Sequence, residues 1–359
     1  METFAVKFRA GSLDLDAIVT AYDHHRQFKV EMITDEPEPI ILDRSIKGEW
    51  QVIDRGTRNF SDMDFEQLEN AITAQLDEIY LVKNMLVLTD FSDAALNAAR
   101  YAAALTQQLK TANLILYHSY ESITVPAITF APVSPGAAES PELSLEKIRG
   151  LKDDLGNLIA EATKIEVRTD ERPLVTAVNT LTRHQHIGLV AAGITGKSNM
   201  EKILIGSNTL LLAKNCSAPL LVIPPAATYK PVRKVVFACD LKQVSASTPV
   251  HAIKSFVHAL GAKLLILNVD RGEKHTDPDT IKEITDLHQI WDNEQPEHHY
   301  TDHEDIAEGI MDFADQQHAE LVITVPKAYG FFESIFHRSM TNKLAYHTHL
   351  PLLLFKEDQ

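Results

Sequence analysis

Cysteine is nearly absent: Cys216 and Cys239 are the only two in 359 residues, and neither stands in a Cys-x-x-Cys or Cys/His ligand spacing. That excludes a disulfide scaffold and points to a reducing compartment, with both residues acting as small apolar fillers. A basic stripe is absent too. With 34 Lys and Arg against 50 Asp and Glu, the formal net charge is −16, the wrong sign for a general binder of nucleic acid or anionic membrane. No apolar stretch approaches the length of a membrane span, and the opening METFAVKFRAGSLDLD lacks a basic segment leading into an apolar run. The expectation is a cytoplasmic protein with no nucleic-acid and no membrane partner. What is present, 45% hydrophobic and 23% charged residues over a length too great for one typical core, describes a globular chain of two or three domains.

The chain changes character near residue 83. Before it, short β-rich runs (FAVKF, DAIVTAY, QFKVEMI, PIILDR, EWQVID) alternate with Gly, Asp and Pro, which predicts a meander of about five strands. Leu68, Ile72, Leu76 and Ile79 then recur at helical spacing behind Ser61 or Asp62 as a cap. After it, strands and helices alternate: MLVLTD, a helix from Ser92 to about Leu109, ANLILYHS, a helix from Ser144 to Thr163, KIEVRT. A helix from Pro173 to Gln185, HIGLVAAG, a helix from Ser207 to Asn215 and PLLVIP complete this series. The Pro- and Ala-rich stretch from Thr124 to Pro141 is a long loop, a lid or mere slack. The series then restarts with KVVFACD, a helix from about Ser245 to Leu260, AKLLILNVD, a polar helix around Asp279 to Trp291, and HHYT. It ends with a helix from Ile306 to Gln317, AELVITV, a helix from Ser339 to Tyr346, and PLLLF. The fold class expected is α/β, with two tandem five-stranded parallel-sheet, Rossmann-like domains behind a small β-rich one. The boundaries drawn are 1–82, 83–226 and 231–357.

The two α/β series are copies. A constant shift of 132 residues lays Gln185-His186 on Gln317-His318 and Leu189-Val190 on Leu321-Val322. It also lays Ser207, Thr209, Leu212 and Ala213 on Ser339, Thr341, Leu344 and Ala345, and Pro219-Leu220-Leu221 on Pro351-Leu352-Leu353. One difference is chemical. The first copy carries Gly193-x2-Gly196-x9-Gly206-Ser207 between its fourth strand and the next helix, a place where glycines admit close backbone approach and a helix start offers N–H groups to phosphate. The second copy has Val325, Ala328 and Arg338 at the three glycine positions, which fill that space.

Tandem βαβ domains carrying Gly-x2-Gly-x9-Gly-Ser after the fourth strand resemble the universal stress protein family over roughly residues 84 to 356. The resemblance implies an adenine nucleotide alpha hydrolase-like fold that binds ATP, AMP or ADP, with Mg²⁺ an open companion. It places the phosphates on Gly193, Gly196, Gly206 and Ser207, with Asn208 and Thr209 at the helix start, and the nucleoside against Thr89 and Asp90. Backbone at Ser119, where the family usually has Val, meets the adenine. In the second copy Asp240 and Val269 match while the phosphate loop does not, so that copy is expected to be a partner in an internal pseudo-dimer, seamed through the last strands at Val222, Leu353 and Leu354. A further homodimer, and a protein partner for residues 1–82, are left open.

Competing motifs are weaker. Gly196-Lys197-Ser198 has Ala191 where a Walker A loop needs its first Gly. His298, His299, Asp302 and His303 could suit a metal on a helix, but a strand and a polar turn are the reading taken here. Asp90 alone would be a helix cap near Ser92. No triad, carboxylate pair or metal set stands beside the glycine loop, so a regulatory nucleotide is the first expectation. A slow hydrolase or phosphotransferase using Asp90 with Mg²⁺, and a nucleotide-independent scaffold, are the alternatives.

Overall fold

A computed structural model describes residues 2–22, 26–33, 38–45, 48–120, 141–194, 207–271, 278–325 and 349–357. The first strands are β1 (Glu2–Ala10), β2 (Leu13–Tyr22), β3 (Gln27–Met32), β4 (Ile40–Arg44) and β5 (Trp50–Asp54), an antiparallel meander in that order. Alternation sets its faces: Val6, Phe8 and Ala10 are buried while Lys7 and Arg9 are exposed. Helix α1 (Asp62–Tyr80) covers the buried face and starts at a capping box, in which Ser61 accepts from the Asp64 N–H and Asp64 accepts from the Ser61 N–H. Its core residues are Phe65, Leu68, Ile72 and Leu76. Ile79, expected in that set, is only half-buried, while Phe65, one turn before Leu68, joins the buried set.

The first α/β series runs β6 (Asn84–Leu88), α2 (Asp93–Leu109), β7 (Asn113–Ser119), α3 (Pro141–Leu155), β8 (Lys164–Asp170), α4 (Leu174–Gln185), β9 (Ile187–Gly193), α5 (Ser207–Asn215) and β10 (Leu220–Ile223). The second runs β11 (Lys234–Ala238), α6 (Val244–Ser247), α7 (Val250–Leu260), β12 (Lys263–Asp270), α8 (Pro278–Trp291), β13 (Glu297–Asp302), α9 (Ile306–Gln316), β14 (Leu321–Thr324) and β15 (Leu352–Leu354). All ten strands form one sheet in the order β13-β12-β11-β14-β15-β10-β9-β6-β7-β8. Each half is parallel, and the halves meet where β10 pairs antiparallel with β15, Leu220 opposite Leu354 and Val222 opposite Leu352. The expected seam is the observed one. Because helices cover both faces, strands such as β6 and β10 are buried on both sides and read as unbroken apolar runs.

Two helices differ from expectation. α3 stops at Leu155 rather than near Thr163, because Gly156-Asn157 are poor helix formers and the chain continues in turns closed by Leu158 N–H to Leu155 O and Thr163 N–H to Ala160 O. The helix expected over Ser245 to Leu260 is broken into α6 and α7. Pro249 holds Thr248 at φ −87°, ψ 119°, outside the helical region. The long loop from Thr124 lies outside the described residues up to Pro141, which opens α3, and the helix expected over Ser339 to Tyr346 lies outside them altogether.

The copies superpose in two registers. From Asp90 to Ser119 the shift is 150 residues, carrying His118 onto Asn268; from Asp170 onward it is 132, carrying Asp170 onto Asp302 and Leu174 onto Ile306. The first copy therefore has 18 more residues between its second and third strands than the second copy. Gln108 of α2 fixes the linker between copies: its amide donates to the Val232 and Leu260 carbonyls, both at 2.6 Å, and accepts from the Val232 N–H and the Tyr229 hydroxyl.

Candidate functional site

In the first half the strand order is β10-β9-β6-β7-β8. β6 leads outward to β7 and β8, and the chain then returns to β9 on its other side, so the order reverses between β6 and β9. That is the point where open parallel sheets hold ligands, beyond the carboxyl ends of their strands. A cavity of about 570 Å³ lies there. It gathers Thr89 and Asp90 after β6, Ser119 at the end of β7, Gly193 at the end of β9, and Asn208 and Thr209 on α5. Six of the nine residues singled out from sequence thus share one cavity. Gly196 and Gly206 lie outside the described residues, as do Lys197, Ala328 and Arg338, while Ser207 opens α5.

The wall after β6 is built by local hydrogen bonds. Thr89 accepts the Phe91 N–H through its hydroxyl at 3.0 Å, and Phe91 takes φ +61°, unusual for a side-chain-bearing residue. Asp90 Oδ1 accepts from both the N–H (3.0 Å) and the hydroxyl (2.6 Å) of Ser92, and Ser92 in turn accepts the Ala95 N–H as the cap of α2. Asp90 is therefore not the cap itself; it holds the cap in place. The second copy repeats the turn: Leu241 has φ +52°, and Asp240 Oδ1 accepts the Lys242 N–H.

Gly193 plays a different part from the one its motif suggests. It has no positive φ, and a Cβ there would lie 2.4 Å from the Ala94 carbonyl oxygen and 3.0 Å from the Ala95 nitrogen. Its missing side chain admits the first turn of α2. In the second copy Val325 stands at this position, and the matching helix is the interrupted α6–α7 pair.

Sequence reasoning missed the far end of the cavity. Tyr117, Glu171 and Arg172 line it beside Ser119, whose hydroxyl donates to the Arg172 carbonyl at 2.9 Å. Arg172 is oriented by Asp170, which accepts its N–H at 3.0 Å and its Nε–H at 2.7 Å and is held below the usual carboxylate range chiefly by that side-chain bond. The signal that would have found these residues is the repeat itself, read in both of its registers. Tyr117 falls on Leu267, Ser119 on Val269 and Arg172 on Glu304. At the same end of the second copy a Cβ on Gly309 would lie 2.7 Å from His303 Cβ and 2.9 Å from Val269 Cγ1, so α9 packs directly onto the strand ends.

The histidine cluster is a strand and a turn. His298, His299 and Asp302 lie on β13, while Asp305, rather than His303, caps α9, and the Asp305 N–H donates to His303 Nδ1 at 3.0 Å. Among the described residues no group of three His, Cys, Asp or Glu side chains is arranged to hold a metal ion. Cys216 and Cys239 are both buried and neither forms a disulfide. Among the same residues no helix is long and apolar enough to cross a membrane.

An open parallel sheet with its crevice at the reversal of strand order defines the class: a doubly wound α/β fold, here in tandem. Comparison with known proteins narrows it. Residues 82–224 match the model of the universal stress protein family. A universal stress protein of Methanocaldococcus jannaschii is 25% identical over 157 residues, 43% of this chain and 88% of its own length. A universal stress protein structure from Archaeoglobus fulgidus shares the fold with a TM-score of 0.55 at 16% identity, covering 77% of this chain and 98% of its own. A putative universal stress protein from Pseudomonas aeruginosa does so at 0.51 and 12%, covering 78% and 95%. Coverage of that extent takes in both copies. Residues 82–224 are thus a universal stress protein domain by that match, and both copies share the fold of the tandem structures.

Proposed function

We propose that this is a cytoplasmic regulatory protein that binds one adenine nucleotide, ATP or its AMP and ADP relatives, in the first copy. The observation that carries the reading is the cavity at the switch point, where Thr89, Asp90, Ser119, Gly193, Asn208 and Thr209 converge from four separated segments. The β9–α5 connection, with Gly196, Gly206 and Ser207, would take the phosphates on backbone N–H groups and the start of α5. A Mg²⁺ ion would arrive with the triphosphate. Asp90 would face the ribose with one carboxylate oxygen already committed to Ser92.

The second copy is read as the structural half of an internal pseudo-dimer. Its crevice is unsuited to the same ligand for three reasons: Val325 replaces Gly193, Glu304 replaces Arg172, and α9 presses on Val269 and His303. Isothermal calorimetry tests the reading with ATP on the full chain and on a Gly196→Val, Gly206→Arg double variant. Saturable binding that the double variant abolishes is expected; undetectable ATP binding, or binding that the double variant leaves unchanged, contradicts it.

A further inference from the structure

β7 presents Tyr117 and Ser119 two residues apart, hence on one face of the strand, and both line the cavity. The matching positions on β12 are Leu267 and Val269, both buried. A strand position that packs with plain hydrocarbon in one copy carries a phenol in the other. Tyr117 is 1% exposed, and its hydroxyl is buried without a hydrogen-bond partner among the described residues. Buried hydroxyls nearly always have one, because an unpaired polar group keeps its full desolvation cost. The Ser119 hydroxyl is near enough for hydrogen bonding to draw the Tyr117 pKa down, but it gives its own proton to the Arg172 carbonyl and does not meet the phenol at hydrogen-bond geometry. Burial first, then the Asp170 carboxylate, pushes that phenol up to about 12. At neutral pH it is an uncharged donor.

Its place in the sheet says which part of a ligand it would meet. β7 lies two strands from β9, about 10 Å away, and the β9–α5 connection is where the phosphates are proposed to sit. We infer that the Tyr117 hydroxyl is a specificity-determining contact that hydrogen-bonds the nucleoside end of the ligand, so that the site reads base or ribose as well as phosphate. This rests on the nucleotide reading above and adds to it a side chain that the resemblance does not assign.

The test is calorimetry on the full chain, wild type against Tyr117→Phe and Tyr117→Leu, with ATP and with inorganic tripolyphosphate, the latter measured directly and as a competitor of ATP. Tyr117→Phe is expected to weaken ATP binding about 3- to 10-fold and to leave tripolyphosphate unchanged. The melting temperature of the unliganded variant should hold or rise, since only an unpaired hydroxyl is removed. Tyr117→Leu, which installs the residue of the second copy, should weaken ATP at least as far. Wild-type ATP affinity in Tyr117→Phe, or a loss shared equally by tripolyphosphate, overturns this inference and leaves the nucleotide reading standing. A wild-type chain that binds no ATP overturns the nucleotide reading and this inference together.

Discussion

Gly193 joins packing to the cavity in a single residue. It lines the cavity and also lets the first turn of α2 rest against β9, with the Ala94 carbonyl oxygen 2.4 Å from where a Cβ would stand. The atoms it would meet are backbone on both sides, so neither can swing away. Gly193→Val is expected to cost about 1–3 kcal/mol by overpacking, seen as a lower urea midpoint without any ligand present. An unchanged midpoint would mean that the close approach is absent in solution. The spacing of the glycines was legible in the sequence, but this second duty was not, because it depends on Ala94, a residue almost a hundred positions earlier. Tyr117 was hidden for a related reason. Within LILYHS it reads as one more apolar strand residue, and only the folded arrangement leaves its hydroxyl without a partner among the described residues.

Among the elements, the outer strand β13 carries the clearest response to pH. His298 stacks on His288 of α8 with ring centroids 3.7 Å apart, and His288 Nε2 lies 2.9 Å from the Tyr300 hydroxyl. Burial, then the neighbouring His288 and His299, lowers the His298 pKa from 6.5 to about 4. Between those values the unfolded chain binds the proton and the folded chain does not. The stability this group contributes is therefore complete above about pH 6.5 and is lost as pH falls toward 4. After allowing for solvent screening of a half-buried ring, the loss is on the order of 1 kcal/mol. Chemical denaturation at pH 7 and pH 5 should show the wild type losing more stability than His298→Asn by that amount; equal losses would contradict the assignment. Element types were largely readable because 3.6- and 2-residue periods are strong in this chain, as in α1 and β1. Ends were less so: Pro249 splits a helix whose apolar pattern runs straight through it, and Gly156 ends another early.

At the scale of the molecule, duplication explains both the shape and the asymmetry. Two parallel half-sheets become one ten-stranded sheet because Leu220–Val222 and Leu352–Leu354, short and buried on both faces, pair antiparallel. The seam was legible from the apolar ends of the two copies. What was not read was how the copies diverge at the far end of the crevice, although the 150-residue shift that sets Asp90 on Asp240 and Ser119 on Val269 carried it in the sequence. That register sets Tyr117 against Leu267 and Ser119 against Val269, and the other sets Arg172 against Glu304. The account therefore predicts one ligand in a twofold fold. Native mass spectrometry of the gently purified full chain, titrated with ATP, tests this most directly: one adenine nucleotide per chain is the predicted result, and either none or two would contradict it.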